Sequence, residues 1–298
     1  MAKATRAAFG DLLEPGFREI LFQVWDMYPE EYSKVFNMLK STKKKEMDSG
    51  ISGLGSMPEK VEGGNIAYDV PILGWDVTYT HVTYGLGFRV TREMYEDDLY
   101  ATMAKMPKAL ARSAAYTVEV VAAAVLNNAF TVAGGGTRNE YLCATNHVLS
   151  GGGTEQNKLT TDADLAVTSL ETAIGNIEET VDDKGLLMAL RCRRLIIPHQ
   201  LKWVARELLG SDKKPYTANN EINALLDEDL TYFVYHYLTD PDAWFMLSDR
   251  HELNFFWRRP LDFGQGEDFD SEDAKYKSTM RFSVGWTDWK GIFGSPGA

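Results

Sequence analysis

DVTYTHVTYGLGFRVT, residues Asp76 to Thr91, alternates along its whole length. Thr78, Thr80, Val82, Tyr84, Leu86, Phe88 and Val90 fall on one face, and Val77, Tyr79, His81 and Thr83 on the other, the two-residue period of a β-strand. At about 3.3 Å per residue the ribbon reaches roughly 50 Å, far beyond the usual five or six residues of a strand. Both faces carry substantial side chains, so the ribbon is expected to leave its own domain. The preceding Ile66 to Val70 is expected to pair back on it through Pro71-Ile72-Leu73-Gly74, where Pro and Gly supply the reversal. That tip, Val70 to Trp75, is apolar, and Trp75 is expected to bury against a neighbouring molecule. Open backbone edges and exposed apolar side chains call for a partner that covers them.

Upstream, Phe17, Ile20, Leu21, Val24, Trp25 and then Tyr32, Val35, Phe36, Leu39 recur at three and four, predicting two short amphipathic helices broken by Pro15 and Pro29. Ser41 to Asn65, rich in Gly, Lys and Ser without a period, reads as a flexible connector. Downstream, Thr91 with Glu93, Glu96, Asp97 and Asp98 opens a helical stretch that Pro107 divides. Leu110, Ala114, Val118, Val121 and Val125 then mark one face of a helix from Lys108 to about Phe130, roughly 35 Å long at 1.5 Å per residue. A third helix after Thr161 and Asp162 carries Ala166, Leu170, Ala173, Ile174, Ile177 and Val181. Strand Arg194 to Ile197 feeds straight into Pro198 and a helix that Gly210 closes. Beyond lie a short helix near Glu221 to Leu226 and a strand pair, Tyr232 to Leu238 and Ala243 to Leu247, joined by Thr239-Asp240-Pro241-Asp242. The aromatic strand Asn254 to Arg258, the acidic loop Glu267 to Asp273 and a last strand, Met280 to Trp286, complete the chain. The fold class is α+β.

The 298 residues, 44% hydrophobic and 25% charged, suffice for more than one packed core and exclude a disordered chain. Their longest wholly apolar run, Val120 to Leu126, falls far short of the roughly 20 residues that cross a bilayer, so no membrane partner is expected. Up to Lys45 there are eight basic and six acidic side chains, which is +2, so the remainder carries −14 of the net −12. Such a balance disfavours nucleic acid as the main ligand, and the run Lys43 to Lys45 reads as solvated linker. Two cysteines, Cys143 and Cys192, make no disulfide framework and suit a reducing compartment.

No chemistry stands out. The triplets at Gly134 and Gly151 lack the Lys and hydroxyl of a phosphate cradle. The adjacent pairs Asp97-Asp98, Glu178-Glu179 and Asp182-Asp183 point about 100° apart on a helix and cannot share a substrate by spacing alone. EDFDSED, Glu267 to Asp273, lacks the turn glycine and distant Glu of a calcium loop and reads as a solvated loop. Cys143 and His147, four apart, are the one pair that would serve a thiol hydrolase as nucleophile and base. No catalytic, cofactor-binding or metal residue is assigned, and no cofactor is expected.

The order of several stretches resembles the tailed-phage major capsid proteins of the Hong Kong 97 fold, and is similar within them to the Mu-like major head subunits. The carriers are MPEKVEGGNIAYDVPILGW, YGLGFRVTREMYEDDLY, LCATNHVLSGGGTEQNKL, RLIIPHQLKWVARELLGS, YFVYHYLTDPDAWFML and the ending GWTDWKGIFGSPGA. The resemblance implies an N-terminal arm at 1–50, an extended β-hairpin loop at 51–95, a peripheral domain with its spine helix at 96–189, an axial domain at 190–264 and a return strand at 265–298. It implies a protein that is not an enzyme, whose copies form hexamers and pentamers that close an icosahedral phage head, assembled in the host cytoplasm around double-stranded DNA. Portal, scaffolding or decoration proteins are further partners, and DNA contacts are weak, made by the arm or by Lys43 to Lys45. Some relatives link the extended loop to a neighbour by a Lys–Asn isopeptide bond. Here Val70 to Trp75 has no lysine and Lys60 sits near the base, so a non-covalent shell is expected. An encapsulin-type compartment and the Cys143/His147 hydrolase stand as the alternatives.

Overall fold

A computed structural model describes residues 7–91, 93–94, 97, 102–215, 221–267 and 273–298. Of the acids expected to open a helix after Thr91, Glu96 and Asp98 lie outside the described residues, as does most of the acidic loop 267–273, while Asp97 N–H donates to the Glu93 carbonyl at 2.9 Å. In chain order the strands are β1 (Asn37–Lys40), β2 (Lys45–Ile51), β3 (Leu73–Thr80), β4 (Val82–Val90), β5 (His147–Val148), β6 (Thr154–Glu155), β7 (Cys192–Ile197), β8 (Thr231–Val234), β9 (Trp244–Ser248), β10 (Leu253–Glu267), β11 (Ala274–Trp286) and β12 (Ile292–Ser295). The helices are α1 (Ala7–Met27), α2 (Lys105–Asn127), α3 (Val167–Glu178) and α4 (Lys202–Gly210).

Two four-stranded sheets carry two cores. The first sheet runs β1-β10-β11-β4, with β10 and β11 as a long antiparallel pair. Across its inner face lie α2, through the fully buried Ala111, Val118, Ala122 and Leu126, and α1, through Phe17 and Leu21. Stacked aromatics fill the space between: Phe255 lies 5.0 Å from Phe282, and Phe17 meets Tyr276 edge-on at 5.1 Å. Although α2 is long and apolar enough to cross a membrane by length and composition, it is the central helix of this core. Pro107 sits in its first turn, where a missing N–H costs no hydrogen bond. The second sheet runs β12-β9-β7-β8 and packs Leu195, Ile197, Trp244, Met246 and Phe293 against Leu170 and Ala173 of α3 and Ala205 and Leu208 of α4.

Four expectations change. The N-terminal segment forms a single helix that continues through Pro15, and the second expected helix is a 3₁₀ turn at Tyr32–Lys34 followed by β1. This arm is part of the first core. Phe17, Leu21, Tyr32, Val35 and Phe36 are buried in the first core, and the Glu119 carboxylate on α2 accepts the N–H groups of Glu31 (2.6 Å) and Tyr32 (3.1 Å). Burial pushes the Glu119 carboxyl up to about 7. Removing residues to Lys45 therefore takes core residues with them.

The hairpin is built differently as well. Its partner strand is not Ile66–Val70 but β2, which pairs antiparallel with β3 from Lys45↔Thr80 to Ile51↔Leu73, so the connector contains a strand and the reversal is the long segment 52–72. Finally, the two strands around Asp240 do not pair: β7 lies between β8 and β9. Likewise β10 joins β11 and β1 in the first sheet and not the sheet of β7 and β9, while β12 returns to β9.

Candidate functional site: an anchored hairpin with an exposed loop

The β2–β3 hairpin and its loop are where this chain departs most from a self-contained body. The period of β3 places Trp75, Val77 and Tyr79 on one buried face with Phe256, a small cluster separate from the two main cores. The Trp75 indole donates to the Thr287 carbonyl at 3.1 Å, the Tyr79 hydroxyl and Thr287 Oγ1 lie 2.7 Å apart, and Asn254 donates to Thr287 Oγ1 at 3.1 Å. So Trp75 is not a tip residue awaiting a neighbour; it anchors the hairpin to its own subunit.

A layer of buried charge closes over that indole. The Arg138 guanidinium lies 3.0 Å from the Trp75 ring centre and donates to Asp288 at 3.1 Å, with Glu140 3.7 Å away. Burial draws its pKa down, opposed by Asp288 and Glu140. Glu140 also meets His147 Nδ1 at 2.7 Å, and the imidazole stacks on Trp289 at 4.3 Å and 8°. Lys290 adds contacts to Asp288 (3.0 Å) and Asp183 (3.5 Å). Backbone fit completes the anchor: Gly136, at φ +63, lies so close that a Cβ there would stand 1.9 Å from the Asp76 carbonyl oxygen. Asp76 N–H meanwhile donates to Thr137 Oγ1 at 2.9 Å. None of Arg138, Glu140, Trp289 or Lys290 was singled out from sequence; the crowded WTDWK and the glycine triplet at 134–136 were the available signals.

Beyond the anchor, 52–72 exposes Leu54, Met57, Val61, Ile66, Tyr68 and Val70, with Met57 98% and Tyr68 93% accessible. A run of exposed apolar side chains on one segment is a surface that lacks its cover. The loop is nonetheless held in place. Lys184 Nζ donates to Asp69 Oδ1 (3.1 Å) and the Val70 carbonyl (3.0 Å), and Asp69 Oδ2 accepts from Gly55 N–H at 2.7 Å. The Gly55 N–H and Lys184 hold the Asp69 carboxyl below its ordinary range. Ser52 N–H donates to the Ile72 carbonyl at 2.9 Å, closing the neck.

The thiol-hydrolase pair does not form. Cys143 is buried beside Gly294, and burial pushes its thiol pKa far up, away from the reactive thiolate. His147 spends both ring nitrogens elsewhere, on Glu140 and on Asn157 Oδ1 at 2.8 Å. Asn157 itself is fixed, accepting from Ala144 N–H and donating to the Leu142 carbonyl. Cys192 is buried too, its thiol pushed up to about 12.

Curated protein sequences return no match. Among solved structures, the chain is similar to the capsid of an empty GTA particle, with a TM-score of 0.58 and 10% identity over 89% of this chain and 88% of that one. It is similar to a Microbacterium phage Oxtober96 chain at 0.55 and 11% identity, over 90% and 92%. It is also similar to the virus-like particle of Pyrococcus furiosus at 0.53 and 12%, over 94% and 97%. At such identities these likenesses establish the fold, that of Hong Kong 97-type capsids. The family model described as phage capsid protein matches residues 76–294, well over half of the chain, from the start of the ribbon to the strand that returns to β9. With that match the chain belongs to the phage capsid protein family, whose members are structural proteins.

Proposed function

We propose that this chain is the repeating subunit of a closed icosahedral shell, arranged as hexamers and pentamers around double-stranded DNA in a phage head built in the host cytoplasm. The observation that carries this is the loop 52–72: its apolar side chains are presented to solvent from a hairpin whose base is locked rigidly to the body. A protein that orders a greasy loop at its periphery gains by it only when another subunit covers it, and many such modest contacts close a shell. The order of sequence motifs supports the Mu-like head subunits as the nearest group, and portal, scaffolding or decoration proteins as further partners.

Sheet membership and packing support a division in which β7, β8, β9, β12, α3 and α4 make the axial part, α3 falling there and not in the peripheral range 96–189 expected from sequence, while β1, β4, β10, β11, α1 and α2 make the peripheral part with its spine helix. The hairpin β2–β3 with its loop is then the extended loop. Lys60 lies in the middle of loop 52–72 and not near the base as expected, so the non-covalent reading of the loop's contacts rests on the lysine-free stretch Val70–Trp75 alone. With a net charge of −12, DNA is held by the arm or by Lys43 to Lys45, and weakly.

Likeness to the Pyrococcus furiosus virus-like particle keeps a second reading in view, a shell of the encapsulin type around a protein cargo. Negative-stain microscopy of the purified, expressed chain tests the first claim: closed shells are expected, and a dispersed monomer at high concentration contradicts it. Nuclease-resistant DNA inside native particles favours the phage head; a co-purifying enzyme favours the compartment. On denaturing gels the particles should collapse to monomer, and a ladder that survives boiling and reductant would overturn the non-covalent assignment.

A further inference from the structure

Where the end of α1, the middle of α2 and the segment after β8 meet, a cavity of about 210 Å³ lies open. Aromatic rings wall it: Trp25 and Tyr28 from the arm, Tyr116 from α2 and Tyr237 from beyond β8, the last two edge to face at 6.0 Å. Carboxylates complete the lining, Glu30 and Glu31 from the arm and the buried Glu119 from α2. Opposite charge is scarce. Glu119 is held by the backbone N–H groups of Glu31 and Tyr32, and Glu31 meets His236 Nδ1 at 2.6 Å. Arg112 is the one cation of the lining, and among the described residues it forms no ion pair with any of the three acids.

Both kinds of wall call for the same ligand. Aromatic rings attract a cation through their π-systems, more strongly where water is excluded. A carboxylate buried without a counter-cation gains when one arrives. Size narrows the choice: at about 30 Å³ for each water-sized unit, the space holds about seven non-hydrogen atoms, which suits a short amine and leaves no room for a segment of chain.

We infer that this cavity binds a small alkylammonium ion, its charged head near Glu119 and its methylene stem among Trp25, Tyr116 and Tyr237. The inference goes beyond the shell reading and does not depend on it. A bound cation ties the arm and α2 of the first sheet to the strand end that leaves the second. Protons are linked to its binding. Burial pushes the Glu119 carboxyl up to about 7, so near that pH a cation must displace a proton to meet the charged form. Glu30, Glu31, Arg112, Tyr28, Tyr116 and Tyr237 also line the cavity, with His236 behind Glu31. Burial, Glu119 and Glu31 push the Tyr237 phenol up, so it stays neutral.

Calorimetric titration of the full-length chain with 1,4-diaminobutane tests this, at matched ionic strength and with 1,4-butanediol as the uncharged isostere. Saturable binding of the diamine at one site per chain is expected, and none of the diol. At pH 7, heats compared in buffers of different ionisation enthalpy should report release of about half a proton per amine bound. Glu119→Gln should abolish that release and weaken binding about ten-fold. Tyr116→Ala, at a position 59% exposed and so safe for folding, should weaken binding several-fold. Equal binding of the diol, no proton release, or unchanged affinity in both variants would overturn the inference. The same titration on assembled particles should find the site still open to the diamine. A site present in free subunits and lost on assembly would give the cavity to a Lys or Arg side chain of a second copy, and would overturn the assignment of a free amine.

Discussion

Replacing Trp75 by alanine should release the hairpin while leaving both main cores folded. Burying an aromatic side chain removes about 150–250 Å² from water, worth about 4–6 kcal/mol at roughly 25 cal/mol per Å². Measured Trp-to-Ala substitutions in cores, at about 3–5 kcal/mol, agree. Lost with the ring are the bond from its indole to the Thr287 carbonyl and the stacking of Arg138. Because Trp75, Val77 and Tyr79 form a cluster of their own, this loss falls on local opening of β2 and β3. A loss of about 4 kcal/mol raises the opening equilibrium by between two and three powers of ten. Amide exchange followed by mass spectrometry should therefore speed up at least a hundred-fold across 45–51 and 73–80 in the free subunit. Exchange in α2 and in β7 and β9 should stay near its original rate. Particle yield should fall with hairpin order. Unaltered exchange in β2 and β3, or a uniform rise in every element, would refute the assignment of Trp75 as a local anchor.

Gly136→Ala should destabilise the hairpin strongly, since its Cβ would meet the Asp76 carbonyl and φ is positive, whereas Gly152→Ala, also at positive φ but with nothing near it, should cost only about 1 kcal/mol; urea unfolding compares them. Glu119, raised to about 7 in the folded chain, gives stability that is full below its unfolded pKa near 4.3 and lost as pH rises through about 7. Glu119→Gln keeps an oxygen for the Glu31 and Tyr32 N–H groups, so it should unfold at higher urea than the parent at pH 8 and at nearly equal urea at pH 4; a constant difference across that range would contradict the assignment. Cys143→Ala should lower stability by about 1 kcal/mol and leave particle assembly intact, measured by unfolding and by microscopy; loss of assembly in a folded variant would contradict a packing role.

Much of this architecture was legible because it depends on local period. The alternation from Asp76 to Thr91 gave β3 and β4, interrupted only at His81, whose ring is buried between Ser41 Oγ (3.0 Å) and Ser283 Oγ (2.9 Å). The apolar spacing of Leu110, Ala114 and Val118 gave α2, and that of Leu170, Ala173 and Ile174 gave α3. Pairing was not legible, because it is decided at long range. KEMDSGI buries little, so β2 has no apolar stripe to announce it and looks like linker. Pro15 was read as a break, yet Phe17 and Leu21 just beyond it are packed into the core, and that burial outweighs the cost of one proline. Tyr32, Val35 and Phe36 are buried as expected, but from a 3₁₀ turn whose spacing of three and four mimics a longer helix. Trp75 was misplaced for a related reason: its cover comes from Arg138, Thr287 and Lys290, more than 60 residues away in sequence.

The dependence of loop 52–72 on a second subunit is tested most directly by hydroxyl-radical footprinting of Met57 and Tyr68 in dissociated subunits and in assembled particles. Both side chains are almost wholly accessible in the single chain, so each should be oxidised rapidly in the free subunit and be protected several-fold once shells have formed. Equal oxidation in the two states would show that no neighbour covers the loop, and would contradict the account.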